Sequence, residues 1–119
     1  MTGTPASISA DQYAHIMAAQ MTEKVFQQCV ENLAVRAGWR CYHTYDSRRS
    51  QPGFPDLVLV HAGRGLLLFR ELKTQTGKLT PAQRHWLADL KAAGSDVAVW
   101  RPLDWHTDVI RRTLTGDAW

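Results

Sequence analysis

Three charged residues stand at the ends of two short apolar segments in the middle of the chain. Asp56 begins DLVLV, and Glu71 and Lys73 end GLLLFRELK. Both segments are typical of strands, and the glycine-bracketed HAGRG between them is typical of a turn. If Gly63 and Arg64 are the central residues of a two-residue type II′ turn, the numbers of opposed residues sum to 127. The pattern then places Asp56 opposite Glu71.

Opposed residues of a hairpin share one face of the sheet, with Cβ atoms roughly 5 Å apart. Lys73 lies two residues beyond Glu71 and is expected on that same face, whereas Arg70 and Leu72 point to the other. Two carboxylates so close repel each other, and burial would shift their pKa values or require a cation. A hard divalent ion such as Mg²⁺ accepts one or two carboxylates together with water and phosphate oxygens. The group is therefore typical of a metal site with a lysine beside the metal's water.

A plainer interpretation of the same three residues is open at this point. Glu-x-Lys on a strand is a common pattern of a solvated sheet edge or of a simple ion pair. A slip of one residue in the hairpin register would also place the two acids on opposite faces of the sheet. The choice depends on residues elsewhere in the chain.

Two polar residues fall on the apolar faces of predicted helices. In EKVFQQCVENLAVRA, which Thr22 caps, Glu23 lies near the centre of the apolar stripe and Glu31 is expected to face water. Gln83 faces the sheet from a later helix, and it also completes a capping box with Thr80. Glu23 could simply favour the helix dipole, and Gln83 could simply cap its helix, or both could reach the hairpin site.

The order of the elements predicts one α/β domain, in which two helical patterns precede three strands, a helix and a fourth strand. The expected strands are 39–45, 56–60, 65–73 and 96–100, the expected helix between the last two runs from Pro81 to Gly94, and PLDWHTDVIRRTL is a final helix or turn. The apolar runs of the second and third strands predict a sheet covered on both faces. The crossover helix makes the last strand parallel, which gives a mixed four-stranded sheet flanked by helices.

Size, charge and cysteine content narrow the class of protein. The 119 residues suit a flexible N-terminus over residues 1–8 and a single domain over 9–119. Lys and Arg outnumber Asp and Glu by 14 to 11, and the resulting net charge of +3 mildly favours a polyanionic partner. Cys29 and Cys41 lack zinc-ligand spacing and predict reduced core thiols. With neither a signal peptide nor a long apolar run, we expect a cytoplasmic protein without membrane contact.

These residues together resemble a known nuclease signature. Pro55-Asp56 followed by Glu71-Leu72-Lys73 resembles the PD-(D/E)xK motif. PD…ExK alone fixes only four residues. The ordered set that also contains Glu23 before the motif, and Gln83 in LTPAQRHWL after it, is more specific and resembles the VRR-NUC, or virus-type replication-repair nuclease, family over residues 20–102.

The resemblance implies a restriction-endonuclease-like core in the order α-β-β-β-α-β. It implies a DNA endonuclease that hydrolyses phosphodiester bonds with Mg²⁺ or Mn²⁺ and uses no organic cofactor. In this family pattern Asp56, Glu71 and the main-chain carbonyl of Leu72 would hold the metal, and Glu23 would complete or support the site.

The same resemblance implies that Lys73 orients or deprotonates the attacking water and that Gln83 positions the lysine or the water. Single-domain members look like homodimers that act on branched DNA such as Holliday junctions, in repair and recombination, and a compact nuclease suits a phage or a bacterium. Our candidates for contact with DNA phosphates are the basic residues Arg48, Arg49, Lys78 and Arg84.

Three other functions fit parts of the pattern. The chain could be a DNA-binding module that keeps the fold without cutting, or a nuclease for flaps or linear duplex DNA. It could also be a structural or partner-binding domain in which Asp56, Glu71 and Lys73 form a salt bridge.

Overall fold

The structure, a computed structural model, describes residues 7–44 and 51–117 as an α/β domain. The helices are α1 (Ala10–Gln20), α2 (Glu23–Arg36), α3 (Pro81–Ala92), α4 (Pro102–His106) and α5 (Val109–Thr115). The strands are β1 (Arg40–His43), β2 (Leu57–His61), β3 (Leu66–Leu72) and β4 (Asp96–Trp100). Within these described ranges, no helix has both the length and the apolar character needed to cross a membrane.

The four strands form one mixed sheet in the order β1-β2-β3-β4. The first three strands pair antiparallel, and β3 pairs parallel with β4. The connection from β3 to β4 passes through α3, and a crossover of this kind favours parallel pairing. The predicted mixed sheet and its order of elements are confirmed, and the final segment forms the two short helices α4 and α5.

The helices begin and end where the local sequence predicts. Ser9 and Gln12 exchange side-chain and backbone hydrogen bonds of 3.0 and 2.8 Å in a capping box at the start of α1. The Thr22 hydroxyl accepts a hydrogen bond from the Val25 N–H at 3.2 Å at the start of α2. Gly38 follows α2 with a φ of 92°, a conformation that glycine adopts without strain.

The hairpin of β2 and β3 has the predicted register but not the predicted turn. Leu57 pairs with Arg70, so the numbers of opposed residues do sum to 127. The connection has four residues, a 3₁₀ turn over Ala62–Arg64 followed by Gly65. The type II′ prediction is wrong because Gly65, and not Gly63, adopts a positive φ, 65°. The longer connection is centred at the same point of the chain, which preserves the register.

One face of the sheet packs against α2 and α5. The buried cluster there contains Phe26, Val30, Ala34, Trp39, Leu57, Leu59, Leu68, Leu72, Trp100, Ile110 and Leu114. Alternate residues of a strand point to the same side, and this explains why Leu57 and Leu59 lie in this core while Val58 does not. The Trp39 indole N–H donates to the carbonyl of Leu114 at 2.7 Å, which joins the end of α5 to this core.

The opposite face of the sheet is covered by α3 at its β3–β4 end. Trp86 of α3 packs edge-on against Phe54, with ring centroids 5.1 Å apart, and Phe54 packs against Phe69. Over the other half of this face, apolar side chains remain exposed by 65%, 39% and 49% in Tyr42, Val60 and Leu67. The prediction that both faces are covered is therefore wrong for the part of the sheet around these three residues, because α3 does not extend that far.

Candidate active site

Asp56 and Glu71 face each other at the open end of the hairpin. The register that pairs Leu57 with Arg70 places them in opposition one residue further along. Glu71 is buried, with 2% of its surface exposed, and Asp56 is half-buried. The Thr44 N–H donates to the Asp56 carbonyl at 3.0 Å. The residue that follows β1 therefore holds the backbone of Asp56 in place. The two acids lie close enough for a hydrogen bond between their carboxyl groups.

Burial raises the pKa of the Glu71 carboxyl to about 8. The loss of solvation is the largest cause, and the charge of Asp56 and a hydrogen bond with its carboxyl act in the same direction. The positive charge of Lys73 lowers the pKa but does not offset these effects. Glu71 therefore keeps its proton near neutral pH unless a cation binds beside the carboxyl group and replaces the proton.

We expect the metal-free protein to lose stability as the pH rises from about 4.5 to about 8. In this range the unfolded chain has released the Glu71 proton and the folded chain still holds it, so raising the pH favours unfolding. Glu71→Gln removes the ionisation and flattens this part of the profile. Thermal melts in EDTA over this pH range, with the half-buried Glu31→Gln on α2 as control, measure the difference. Equal slopes in wild type and Glu71→Gln would contradict the expectation.

Asp56 also holds the backbone of the neighbouring strand. Its Oδ2 accepts a hydrogen bond from the Leu72 N–H at 2.8 Å. On the next residue, the Lys73 N–H donates to the carbonyl of Trp100 at 3.1 Å and continues the pairing of β3 with β4. The two peptide groups that flank Leu72 are thus each held by one hydrogen bond. The half-buried Lys73 side chain starts from this fixed position, and its charge acts on Glu71.

Gln83 is both a helix cap and a partner of the acid pair. Its Oε1 accepts from the Thr80 N–H at 2.9 Å, and its own N–H donates to the Thr80 hydroxyl at 3.2 Å. Its Nε2 donates to Oε2 of Glu71 at 3.1 Å. The amide oxygen of Gln83 therefore caps the helix, and the amide nitrogen contacts the acid pair. Both roles that the sequence left open are filled, and the start of α3 is joined to Glu71.

Gly53 brings the loop before Asp56 against the first turn of α3. It has a φ of 91°, and a Cβ at this position would lie 2.4 Å from the carbonyl carbon of Ala82 and 2.7 Å from the Gln83 nitrogen. Backbone packs on backbone here, which requires glycine. The sequence prediction missed this residue, although a glycine two positions before Pro55 was the available signal.

Glu23 does not point into the domain as predicted. Its side chain is exposed, and among the described residues no three His, Cys, Asp or Glu side chains form a group that could hold a metal. As the first residue of α2, Glu23 projects toward the helix N-terminus and away from the buried stripe that begins at Phe26.

Glu31 also differs from its prediction, because it is half-buried instead of facing water. It accepts a hydrogen bond from the Gln27 amide at 2.9 Å. It also lies beside β1, where burial and the charge of Glu31 raise the pKa of the Cys41 thiol to about 11. Neither cysteine forms a disulfide.

The basic residues are only partly within the described chain. Lys78 lies in the segment between β3 and α3, Arg84 lies in the first turns of α3, and both are exposed. Arg48 and Arg49 lie outside the described residues. The segment from Lys73 to Arg84 therefore carries exposed positive charge next to the helix start that contacts Glu71.

The mixed sheet presents an acid pair, a lysine and a glutamine at one end, and the family match places the chain in a class of nuclease domains. Residues 8–102 match the family described as the VRR-NUC domain, and the chain belongs to that family. The predicted resemblance is thereby confirmed.

Two solved structures of VRR_NUC domains support the assignment of the architecture. A structure described as a VRR_NUC domain is 23% identical, with 75% of this chain and 94% of the other covered and a TM-score of 0.62. A VRR_NUC domain protein is also 23% identical, with coverage of 77% and 87% and a TM-score of 0.59. Hjc, a Holliday junction resolvase from Archaeoglobus fulgidus, is 22% identical with 62% of each chain covered and a TM-score of 0.47. No curated protein matches the chain significantly.

Proposed function

We propose that this VRR-NUC domain is a DNA endonuclease that depends on Mg²⁺ or Mn²⁺. The observation that carries the proposal is the acid pair, in which buried Glu71 stands opposite Asp56 and its pKa is raised to about 8. Without metal, the proton on Glu71 removes the repulsion between the two carboxylates. A bound divalent cation would remove the same repulsion. Membership of a nuclease family supports the same chemistry.

The donor groups fit a hard divalent cation because all of them are oxygens. Asp56, Glu71 and the main-chain carbonyl of Leu72 would hold the metal, whereas Glu23, which is exposed at the start of α2, is left out of this donor set. The Leu72 carbonyl shares its peptide group with the Lys73 N–H, which donates to the carbonyl of Trp100 at 3.1 Å, and the Leu72 N–H donates to Asp56. When bound, the metal supplies positive charge to the phosphate and lowers the pKa of a bound water.

The other side chains of the site act on the reacting groups and on the acids. Lys73 orients or deprotonates the attacking water and stabilises negative charge on the phosphate. Gln83 holds the Glu71 carboxylate through its 3.1 Å hydrogen bond and so fixes the direction of its second oxygen. This arrangement favours hydrolysis of an anionic diester, which needs both charge stabilisation and an available nucleophile.

The DNA contacts would be made through phosphates. Lys78 and Arg84 are exposed beside the helix start that contacts Glu71, and Arg48 and Arg49 precede Asp56 in the chain. Contacts of this type position the duplex without reading its sequence, so selection by DNA shape follows. We place this activity on branched DNA in the cytoplasm of a bacterium or of a phage-infected host.

A panel of labelled DNA structures tests the proposed function. A four-way junction, a flap, a nicked duplex and a linear duplex are incubated with Mg²⁺, Mn²⁺ or EDTA. We expect cleavage only with a divalent metal and fastest cleavage of the junction. Binding without cleavage under both metals would favour the non-catalytic DNA-binding module, and fastest cleavage of another structure would correct the substrate.

The homodimer that we propose uses the open half of the sheet face. Tyr42, Val60 and Leu67 are exposed apolar residues on the same face as the acid pair. A second copy would bury this surface by two-fold pairing, and two active sites related by that axis suit symmetric cutting of a junction.

We expect Val60→Lys combined with Leu67→Lys to produce a monomer of 13.4 kDa, because buried ammonium groups would oppose pairing. Light scattering after size-exclusion chromatography measures the mass. Val35→Lys, at an exposed apolar position on α2, is the control that should leave the dimer intact. A wild-type monomer, or a double variant that stays dimeric, would contradict this interface.

A further inference from the structure

Arg101 holds the turn that follows Lys73. Its Nη1 donates two hydrogen bonds of 2.7 Å, one to the carbonyl of Thr74 and one to the carbonyl of Gly77. The Gly77 N–H donates to the Thr74 carbonyl at 3.2 Å, which closes the turn over residues 74–77. The two hydrogens of one guanidinium nitrogen therefore fix both ends of this turn.

The Lys73 side chain runs alongside this turn. Its Cδ lies so near Gly77 that a Cβ added there would stand 3.6 Å away. The Lys73 backbone is bonded to Trp100, which directly precedes Arg101. The lysine backbone is thus held by Trp100, and its methylene stem lies beside the turn that Arg101 holds.

The start of α4 anchors Arg101 and the turn together. The Arg101 N–H donates to Oδ2 of Asp104 at 2.8 Å. Oε1 of Gln75, inside the turn, accepts a hydrogen bond from the Leu103 N–H at 2.9 Å. The turn is therefore joined to the start of α4 by the Arg101 guanidinium and by the Gln75 side chain. The Arg101 side chain is half-buried.

We infer that Arg101 is a positioning residue for Lys73, which keeps the amino group at the acid pair by fixing the turn over residues 74–77. The inference rests on the proposed function, in which Lys73 acts on the attacking water. Displacement of a catalytic group by about 1 Å can lower a rate by about 10²-fold. The effect of losing Arg101 should therefore appear in the chemical step and not in DNA binding.

Single-turnover cleavage of a labelled four-way junction in Mn²⁺ tests the inference with two substitutions. Arg101→Met should lower the rate by about 10- to 100-fold. Arg101→Lys should recover part of that loss, because an ammonium group can also donate to two carbonyls. Arg112→Met, which removes an exposed arginine beside Asp117, is the matched control and should cleave like wild type. Junction affinity in Ca²⁺ should change less than about twofold in all three.

A double-mutant cycle separates positioning from a general structural effect. If Arg101 acts through Lys73, then Lys73→Ala and Lys73→Ala/Arg101→Met should show the same residual rate. A further tenfold loss in the double variant would overturn the inference. Circular dichroism before each assay identifies a variant that has unfolded. If Arg101→Met is unfolded, Arg101→Lys replaces it in the comparison with wild type.

A labelling experiment tests the same contact without catalysis. Acetic anhydride should modify Lys73 several-fold faster in Arg101→Met than in wild type, relative to the exposed Lys91, as measured by mass spectrometry. Unchanged labelling, or wild-type cleavage by Arg101→Met while Lys73→Ala is inactive, would overturn the positioning role and leave the proposed function standing. Absence of cleavage by wild type would overturn the proposed function, and labelling alone would then decide whether Arg101 holds Lys73.

Discussion

Replacing Lys73 with alanine should lower the rate of DNA cleavage by about 10³-fold or more. The lysine is half-buried beside Glu71, and no water molecule can reproduce both its charge and its fixed position. The oxygen groups that would hold the metal are unchanged in this variant. We therefore expect Lys73→Ala to fold and to bind Mn²⁺ like wild type, which single-turnover cleavage and calorimetric titration can measure separately.

Lys91→Ala is the control for this prediction because Lys91 is an exposed lysine in the last turn of α3. It removes the same charge from the protein at a position away from the acid pair. Cleavage by Lys73→Ala at the rate of Lys91→Ala would contradict the role of Lys73. A large loss of thermal stability in Lys73→Ala alone would favour the salt-bridge interpretation of Asp56, Glu71 and Lys73.

Gly53→Ala should damage both stability and activity. The new methyl group would lie 2.4 Å from the carbonyl carbon of Ala82, and the backbone would have to keep a φ of 91°. Strain and overpacking together predict a loss of about 2 to 4 kcal/mol in the free energy of unfolding. The loop would move away from α3 and carry Asp56 away from its place opposite Glu71, so cleavage should fall by about 10²-fold.

Gly94→Ala is a matched control for Gly53→Ala. Gly94 has nearly the same φ, 89°, but no atom of the described residues lies within 4 Å of the position that a Cβ would take there. We expect a loss of about 1 to 2 kcal/mol from backbone strain and unchanged cleavage by the folded protein. Urea denaturation and cleavage rates measure both effects. Equal losses in the two variants would show that contact with α3 is not what Gly53 provides.

The hairpin register could be predicted because it depends on where the turn is centred. The two-residue turn proposed at Gly63 and the four-residue turn that ends at Gly65 share one centre, so both place Asp56 opposite Glu71. The capping boxes could also be predicted, since they involve residues only three positions apart. The dual role of Gln83 followed from its place in such a box and on the sheet-facing side of α3.

The contacts that lie far apart in the chain could not be predicted. Arg101 holds the turn over residues 74–77 from the start of α4, and Gly53 touches the start of α3. A helical wheel gave the direction of Glu23 around α2, but it does not show that the buried stripe begins one turn later. Apolar strands indicate a covered face without indicating whether a helix or a second copy of the chain covers it.

Cleavage of a labelled four-way junction as a function of Mn²⁺ concentration, by wild type and by Asp56→Asn, tests the central claim most directly. The proposed site predicts that wild-type cleavage rises from zero in EDTA and saturates with Mn²⁺. It predicts no comparable cleavage by Asp56→Asn at any metal concentration, because the substitution removes a metal-binding carboxylate. Cleavage that persists in EDTA, or that is the same in Asp56→Asn, would contradict the assignment of Asp56 and Glu71 as a catalytic metal site.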